Sequence, residues 1–191
     1  MSLGHTILMN AFGRPKGVLG RLGGHILAHT NAEPNAWVCE LLAVQSTDRV
    51  LEVGFGPGVA IARLAELAPA GYIAGVDISR EMLAQAHSRN LAAVERGLVD
   101  LRQASVERLP FEDDTFDKAL ALNSMQIWRD AVGGLRELRR VCRRGATIAL
   151  GFTSHAGQSK EALAEAVQRA GFADMRIVDG EKRFCALLIN P

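Results

Sequence analysis

Cysteine is scarce in this chain of 191 residues, and the three cysteines, Cys39, Cys142 and Cys185, are far apart. None of them belongs to a closely spaced pair, so the sequence predicts neither a disulfide framework nor a cysteine zinc site. No metal site is expected elsewhere in the chain. This use of cysteine is typical of a reducing compartment, and we expect a cytoplasmic protein.

An excess of charge of one sign is also missing. Lys and Arg number 22 and Asp and Glu number 21, which gives a formal net charge of +1 and no general attraction for nucleic acid. No apolar run reaches the roughly 18 residues that a membrane span requires, and no secretion signal is recognised at the start. We therefore expect a soluble protein whose partner is a small molecule, with a homodimer as one option.

The chain divides by composition into an arm and a body. Residues 1–45 form a predicted N-terminal helical arm, glycine-rich at first and then amphipathic over residues 35–45. Residues 46–191 form the predicted body. Because little sequence is left for a covering insertion after the fifth strand, the arm is expected to act as the lid over a hydrophobic or amphiphilic substrate.

Strands and helices alternate along the body, which predicts an α/β fold with a doubly wound, mostly parallel seven-stranded sheet and an antiparallel strand in a C-terminal hairpin. The predicted strands cover residues 49–55, 72–77, 99–104, 117–123, 146–152, 175–178 and 184–189. The predicted helices cover residues 59–68, 80–96, 131–142 and 160–170, with Ser79 and Asp130 as N-caps.

The residues that follow the first two strands indicate a nucleotide site. Gly54, Gly56 and Gly58 allow a sharp backbone turn and a close approach of a ligand. Their spacing departs from the dinucleotide fingerprint, in which the third glycine stands three positions after the second. An NAD-dependent oxidoreductase is therefore the weaker alternative. Asp77 can accept hydrogen bonds from a ribose diol, and a buried Glu52 requires a cation or several donors.

Four segments in order resemble the class I S-adenosylmethionine-dependent methyltransferases, especially the small-molecule members of the methyltransferase type 11 kind. VLEVGFGPG at residues 50–58 and GVDIS at residues 75–79 are similar to the first two motifs of that family. SVERLPFEDDTFD at residues 105–117 and LRELRRVCRRGATIAL at residues 135–150 resemble two later ones. The resemblance implies the family's Rossmann-like sheet and S-adenosylmethionine as cofactor, with S-adenosylhomocysteine as product.

The same resemblance implies roles for individual residues. The glycine loop would line the methionine portion of the cofactor, Glu52 its ammonium, Asp77 its ribose, Ile78 and Val106 the adenine faces and Asn123 the passage to the substrate. The full set of implied cofactor-binding residues is Glu52, Gly54, Phe55, Gly56, Gly58, Asp77, Ile78, Ser105, Val106 and Asn123. Ser105 stands where the family often has aspartate, and a hydroxyl accepts a hydrogen bond more weakly than a carboxylate.

No side chain stands out as a nucleophile, and the resemblance requires none, because the cofactor brings its own electrophile and the protein mainly orients donor and acceptor. His25 and His29, one helical turn apart, are candidates for a base. A cofactor-binding protein without catalysis is a second alternative. Enzymes of the resembled class that methylate exocyclic base amines have Asn or Asp, then Pro, Pro and an aromatic residue after the fourth strand. This chain has Asn-Ser-Met-Gln there, at residues 123–126, so methylation of base amines is not predicted.

Overall fold

The structure is a computed structural model that describes residues 32–191. Within this range there are seven strands, β1 Arg49–Val53, β2 Tyr72–Asp77, β3 Val99–Gln103, β4 Phe116–Leu122, β5 Cys142–Thr153, β6 Met175–Gly180 and β7 Arg183–Ile189. The same range contains six α-helices, α1 Ala32–Leu42, α2 Val59–Leu67, α3 Arg80–Arg89, α4 Leu91–Glu95, α5 Ala131–Val141 and α6 Lys160–Arg169. Three single 3₁₀ turns cover Val106–Arg108, Met125–Ile127 and Ser154–Ala156.

The strands form one sheet in the order β3-β2-β1-β4-β5-β7-β6. Strands β1 to β5 are parallel to one another, whereas β7 is antiparallel to both β5 and β6. This arrangement confirms the predicted doubly wound, mostly parallel sheet with its C-terminal hairpin. The winding direction reverses between β1 and β4, and their carboxyl ends flank the crevice where such sheets bind ligands.

Apolar side chains cover both faces of the sheet, as expected for a parallel sheet that is buried on each side. Helices α5 and α6 pack on one face, where Leu135, Leu138 and Leu163 are fully buried. Helices α1, α2 and α3 pack on the other face, which includes Val38 and Leu64. None of the described helices has the length and apolar composition needed to cross a bilayer.

Helix α1 begins at the carboxyl edge of the sheet. In its first turn, Glu33 forms an ion pair with Arg183, 2.5 Å between Oε2 and Nη1. Arg183 pairs with Thr153 at the end of β5, and its guanidinium lies 4.8 Å from the ring centroid of Trp37. The first turn of α1 is thus joined to the ends of β5 and β7. Residues 1–31 themselves lie outside the described residues, so the division into residues 1–45 and 46–191 stays a prediction.

Three predictions of element bounds were wrong. The amphipathic segment predicted over residues 35–45 is helix α1, Ala32–Leu42, which ends before Ala43 with its φ of +50°. The single helix predicted over residues 80–96 is two helices separated at Asn90, whose buried Nδ2 donates to Gly58 O at 3.1 Å and Ala86 O at 2.8 Å. The fifth strand begins at Cys142 immediately after α5, four residues earlier than predicted, because Cys142 pairs with Phe116 before the register shifts. The predicted caps are confirmed, since Ser79 Oγ accepts from Met82 N and Asp130 Oδ1 from Gly133 N.

Candidate functional site

The turn after β1 is closely packed against the turn after β4. Gly54 has a φ of +78°, and a Cβ added to it would stand 2.5 Å from Ser124 Cβ. Ser124 Oγ donates to Val53 O at 2.8 Å, and Gly54 N donates to Val76 O at 2.8 Å. Both the backbone conformation and the space therefore require glycine at position 54. Ser124 is a site residue that the sequence reasoning missed.

The middle of the glycine loop is open. Gly56 has a φ of +51°, and no heavy atom lies within 4 Å of the place where its Cβ would stand. Its N–H donates to Asp77 Oδ2 at 2.9 Å. Gly58 is the N-cap residue of α2, and Phe55 is only 3% exposed, with its side chain packed in the core. The loop offers backbone and free space to a ligand.

Asp77 ends β2 and holds the loop in place. Its Oδ1 accepts from Ser79 N at 2.8 Å, while its Oδ2 accepts from Gly56 N. Burial raises the pKa of this carboxyl, and the backbone N–H groups of Ser79, Gly56 and Ile78 oppose the increase. Since a carboxylate has about four acceptor positions, these bonds leave Asp77 able to accept more from a ligand diol.

Glu52 is buried beneath the loop, with only 3% of its surface exposed. Burial raises the pKa of Glu52 to about 8, the nearby charge of Asp77 adds to the increase, and the backbone N–H of Ile61 opposes it. Helix α2 has no side-chain N-cap, so an N–H of its first turn is free to interact with Glu52. The Oε2 atom has no hydrogen-bond partner within the described residues. This site therefore lacks a donor for a buried carboxyl oxygen.

The ends of β2 and β3 bring together the residues predicted for the adenine. Ala104 N donates to Asp77 O at 3.1 Å, which ties the segment before Ser105 to the end of β2. Ile78 is 47% exposed, so part of its side chain is free to contact a ligand. Ser105 Oγ accepts from Glu107 N at 3.4 Å, and Val106 is only 5% exposed. Ile78 therefore exposes more apolar surface than Val106 does.

Asn123 follows β4 and links it to β5. It has a φ of +50°, its Oδ1 accepts from Thr153 N at 2.8 Å, and Thr153 Oγ1 lies 3.2 Å from the same oxygen. Gln126 Nε2 donates to Asn123 O at 2.7 Å. These bonds fix the turn after β4 as one wall of the crevice. Gln126 had no predicted role, although a polar residue soon after a buried strand is a signal for a site residue.

The histidines predicted as candidate bases, His25 and His29, lie outside the described residues and stay predictions. Among residues 32–191, no three His, Cys, Asp or Glu side chains are grouped to hold a metal ion. Cys39, Cys142 and Cys185 are free and buried. Burial raises the pKa of each thiol to about 12, which leaves them unreactive as nucleophiles near neutral pH.

Comparisons with known proteins identify this arrangement. A family model described as a methyltransferase domain matches residues 51–150. An uncharacterized methyltransferase YdaC of Bacillus subtilis is 30% identical over 158 residues, 83% of this chain and 82% of that protein. A phosphatidylethanolamine N-methyltransferase of Cereibacter sphaeroides is 32% identical over 122 residues, 64% of this chain and 57% of that protein. A crystal structure of an S-adenosylmethionine-dependent methyltransferase from Aquifex aeolicus has the same fold, with a TM-score of 0.75, 19% identity, and coverage of 82% of this chain and 89% of that chain.

The fold and the comparisons define an α/β enzyme that transfers methyl groups, and the chain belongs to the methyltransferase domain family. It is an S-adenosylmethionine-dependent methyltransferase, as the sequence motifs indicated. The alternative of an NAD-dependent oxidoreductase was wrong.

The described residues fit this cofactor. The unpaired Oε2 of Glu52 matches an ammonium donor, and the open space at Gly56 matches a ligand that lies against the backbone. Asp77 keeps acceptor capacity for a diol, and Ile78 offers apolar surface for a base.

Proposed function

We propose that the chain binds S-adenosylmethionine across the carboxyl ends of β1, β2 and β4 and methylates a small molecule. The proposed cofactor contacts are those of Glu52, Gly54, Phe55, Gly56, Gly58, Asp77, Ile78, Ser105, Val106 and Asn123. The observation that carries this assignment is the buried Glu52 Oε2, which has no partner within the described residues and lies beneath a loop with open space at Gly56. When bound, S-adenosylmethionine supplies an electrophilic methyl group and leaves as S-adenosylhomocysteine.

The protein's contribution in this proposal is orientation. Glu52 and Asp77 hold opposite parts of the cofactor, and two bonded turns, one after β1 and one after β4, keep those carboxylates at a fixed separation. A rigid arrangement of this kind lowers the entropic cost of bringing donor and acceptor into line. The arm closes the site from water, since α1 enters the body at the carboxyl edge.

The acceptor in this proposal is hydrophobic or amphiphilic. Ile127, which follows the turn after β4, is 42% exposed at this edge and supports an apolar wall. The similarity to a phosphatidylethanolamine N-methyltransferase is consistent with such a substrate. The arm, residues 1–45, is proposed as the cover over this acceptor.

We further propose that nucleic acid is not the substrate. Four of the five arginines between residues 136 and 144 have partners inside the chain. Arg140 pairs with Glu137 and Asp113, each at 2.8 Å, and Arg143 pairs with Asp117. Arg136 and Arg139 donate to backbone oxygens of residues 169 and 170. These bonds support a structural role for the four arginines.

The compartment and the assembly state are also proposals. The three reduced, buried cysteines support the cytoplasm as the location of the protein. A homodimer stays a prediction, which light scattering at micromolar concentration tests.

Titration calorimetry with S-adenosylhomocysteine tests the cofactor site. Asp77→Ala removes a charged acceptor of hydrogen bonds, and we expect an affinity about 10- to 100-fold weaker than that of the unmodified protein. The matched control is Asp100→Ala on β3, because Asp100 bonds Tyr72 and Arg102 instead of the loop. Equal affinity of Asp77→Ala and Asp100→Ala would contradict the assignment of Asp77.

A further inference from the structure

Four buried polar atoms of the described residues have no hydrogen-bond partner: Glu52 Oε2, Gln126 Oε1, Arg183 Nε and Asn190 Oδ1. Two of them are acceptors that belong to the carboxyl ends of neighbouring strands, Glu52 in β1 and Gln126 after β4. Glu52 has an explanation in the proposed ammonium contact. Gln126 has none, and buried acceptors without a donor are rare in folded proteins. A ligand that donates a hydrogen bond would supply the missing partner.

The orientation of the Gln126 amide follows from its bond to the backbone. The amide NH₂ group donates to Asn123 O at 2.7 Å, and only the nitrogen end of the amide can donate to a carbonyl oxygen. The carbonyl end, Oε1, is therefore the end that is left without a partner. Whatever contacts this atom must bring an N–H or O–H group.

The position of Gln126 is restrained by the turn that carries it. Ser124 Oγ bonds Val53 O, and Asn123 Oδ1 accepts from Thr153 N, so the turn is attached to the ends of both β1 and β5. The turn also touches the glycine loop, because Ser124 occupies the space where a Cβ on Gly54 would stand. Gln126 thus belongs to a turn that contacts the glycine loop through Ser124.

We propose that Gln126 Oε1 accepts a hydrogen bond from the nucleophilic nitrogen of the methyl acceptor, which is a neutral amine. This inference rests on the proposed function and names the class of its substrate. An amide oxygen accepts a hydrogen bond but does not take the proton, so the nucleophile must react with its hydrogen in place. A neutral amine does so, whereas an alcohol needs a base and a carbon nucleophile has no N–H to offer.

The proton and electron balance of the transfer needs no further reactant. The amine nitrogen uses its lone pair to form the new N–CH₃ bond while the S–CH₃ bond breaks and leaves its electron pair on sulfur. The methylated nitrogen then carries the positive charge and releases its proton to water. Gln126 orients the lone pair throughout and stays chemically unchanged, so it is a substrate-positioning residue that touches the acceptor.

The test compares Gln126→Leu with Gln168→Leu, the same change at an exposed residue of α6. The first measurement is binding of two ligands by calorimetry: S-adenosylhomocysteine, and its analogue in which a carbon bearing an amino group replaces sulfur. The amino group of the analogue presents N–H donors near the point of transfer. We expect Gln126→Leu to bind the analogue about five- to tenfold more weakly and S-adenosylhomocysteine within about twofold of the unmodified protein. Gln168→Leu should match the unmodified protein for both.

The second measurement uses the unmodified protein with ¹³C-methyl-labelled S-adenosylmethionine and fractionated cell extract. The carbon-13 chemical shift of the product distinguishes N-, O- and C-methyl groups, and we expect an N-methyl product. This measurement still decides the question if Gln126→Leu does not fold. In the extract assay, Gln126→Leu should transfer label at least about tenfold more slowly than Gln168→Leu.

Three results would overturn the assignment: an O- or C-methyl product, an unchanged affinity of Gln126→Leu for the aminated analogue, or equal losses of affinity for both ligands. The last would place Gln126 Oε1 on the cofactor's own ammonium. Failure of the unmodified protein to bind S-adenosylhomocysteine or to label any product would instead contradict the proposed function, and this inference with it.

Discussion

Replacing Glu52 by Gln should change how the stability of the ligand-free protein depends on pH. Burial raises the pKa of Glu52 from its ordinary value of 4.5 to about 8. The folded protein therefore retains a proton that the unfolded chain has lost, and the stabilisation is complete below the unfolded pKa and lost as the pH rises through the folded one. Glu52→Gln remains neutral throughout and lacks this dependence.

The magnitude follows from the pKa difference. One extra proton in the folded state gives a slope of about −1.4 kcal/mol per pH unit between the two pKa values. From pH 5.5 to pH 7.5 the free energy of unfolding of the unmodified protein should therefore fall by roughly 2–3 kcal/mol relative to that of Glu52→Gln. The pH dependence that other groups cause is largely shared by both proteins and cancels in this difference.

Urea denaturation at the two pH values measures the effect. Calorimetry in buffers of different ionisation enthalpy adds a second measurement, because a cationic ligand that pairs with Glu52 should displace its proton. We expect release of about one proton near pH 7 when S-adenosylhomocysteine binds the unmodified protein and none from position 52 in Glu52→Gln. A stability difference that is the same at pH 5.5 and pH 7.5 would refute the assignment of a raised pKa to Glu52.

Two further predictions concern the loop and the arm. Gly54→Ala should lower the free energy of unfolding by about 2–5 kcal/mol, because it adds a contact with Ser124 to the strain of a positive φ. Gly97→Ala is its control, with a φ of +72° and no atom within 4 Å of the added Cβ, so equal losses in urea denaturation would rule out the contact as a cause. Deletion of residues 1–30 should leave the affinity for S-adenosylhomocysteine within about threefold while methyl transfer to acceptors in the extract falls about tenfold or more. Unchanged transfer by the shortened chain would mean that the arm is not the lid.

The order of elements was predictable because it depends on local patterns. Buried parallel strands are continuous apolar runs, and hydroxyl or carboxylate residues such as Ser79 and Asp130 mark helix starts. The break at Asn90 was not predictable, because it depends on a bond to Gly58, which is 32 residues earlier in the chain. The early start of β5 likewise depends on pairing with Phe116 across the sheet.

The sequence by itself determined the family and the positions of the glycine loop, Glu52 and Asp77, because a tight turn after a buried strand and a strand-end carboxylate are fixed by neighbouring residues. Only the tertiary structure decided which polar side chains of the site lack hydrogen-bond partners. Among residues 32–191, Glu52 Oε2 and Gln126 Oε1 have no partner, although Glu52 interacts with the backbone N–H of Ile61 and Gln126 Nε2 donates to Asn123 O. Hydrogen-bond satisfaction is a property of the packed chain, since a buried side chain can be paired by any element that packs against it.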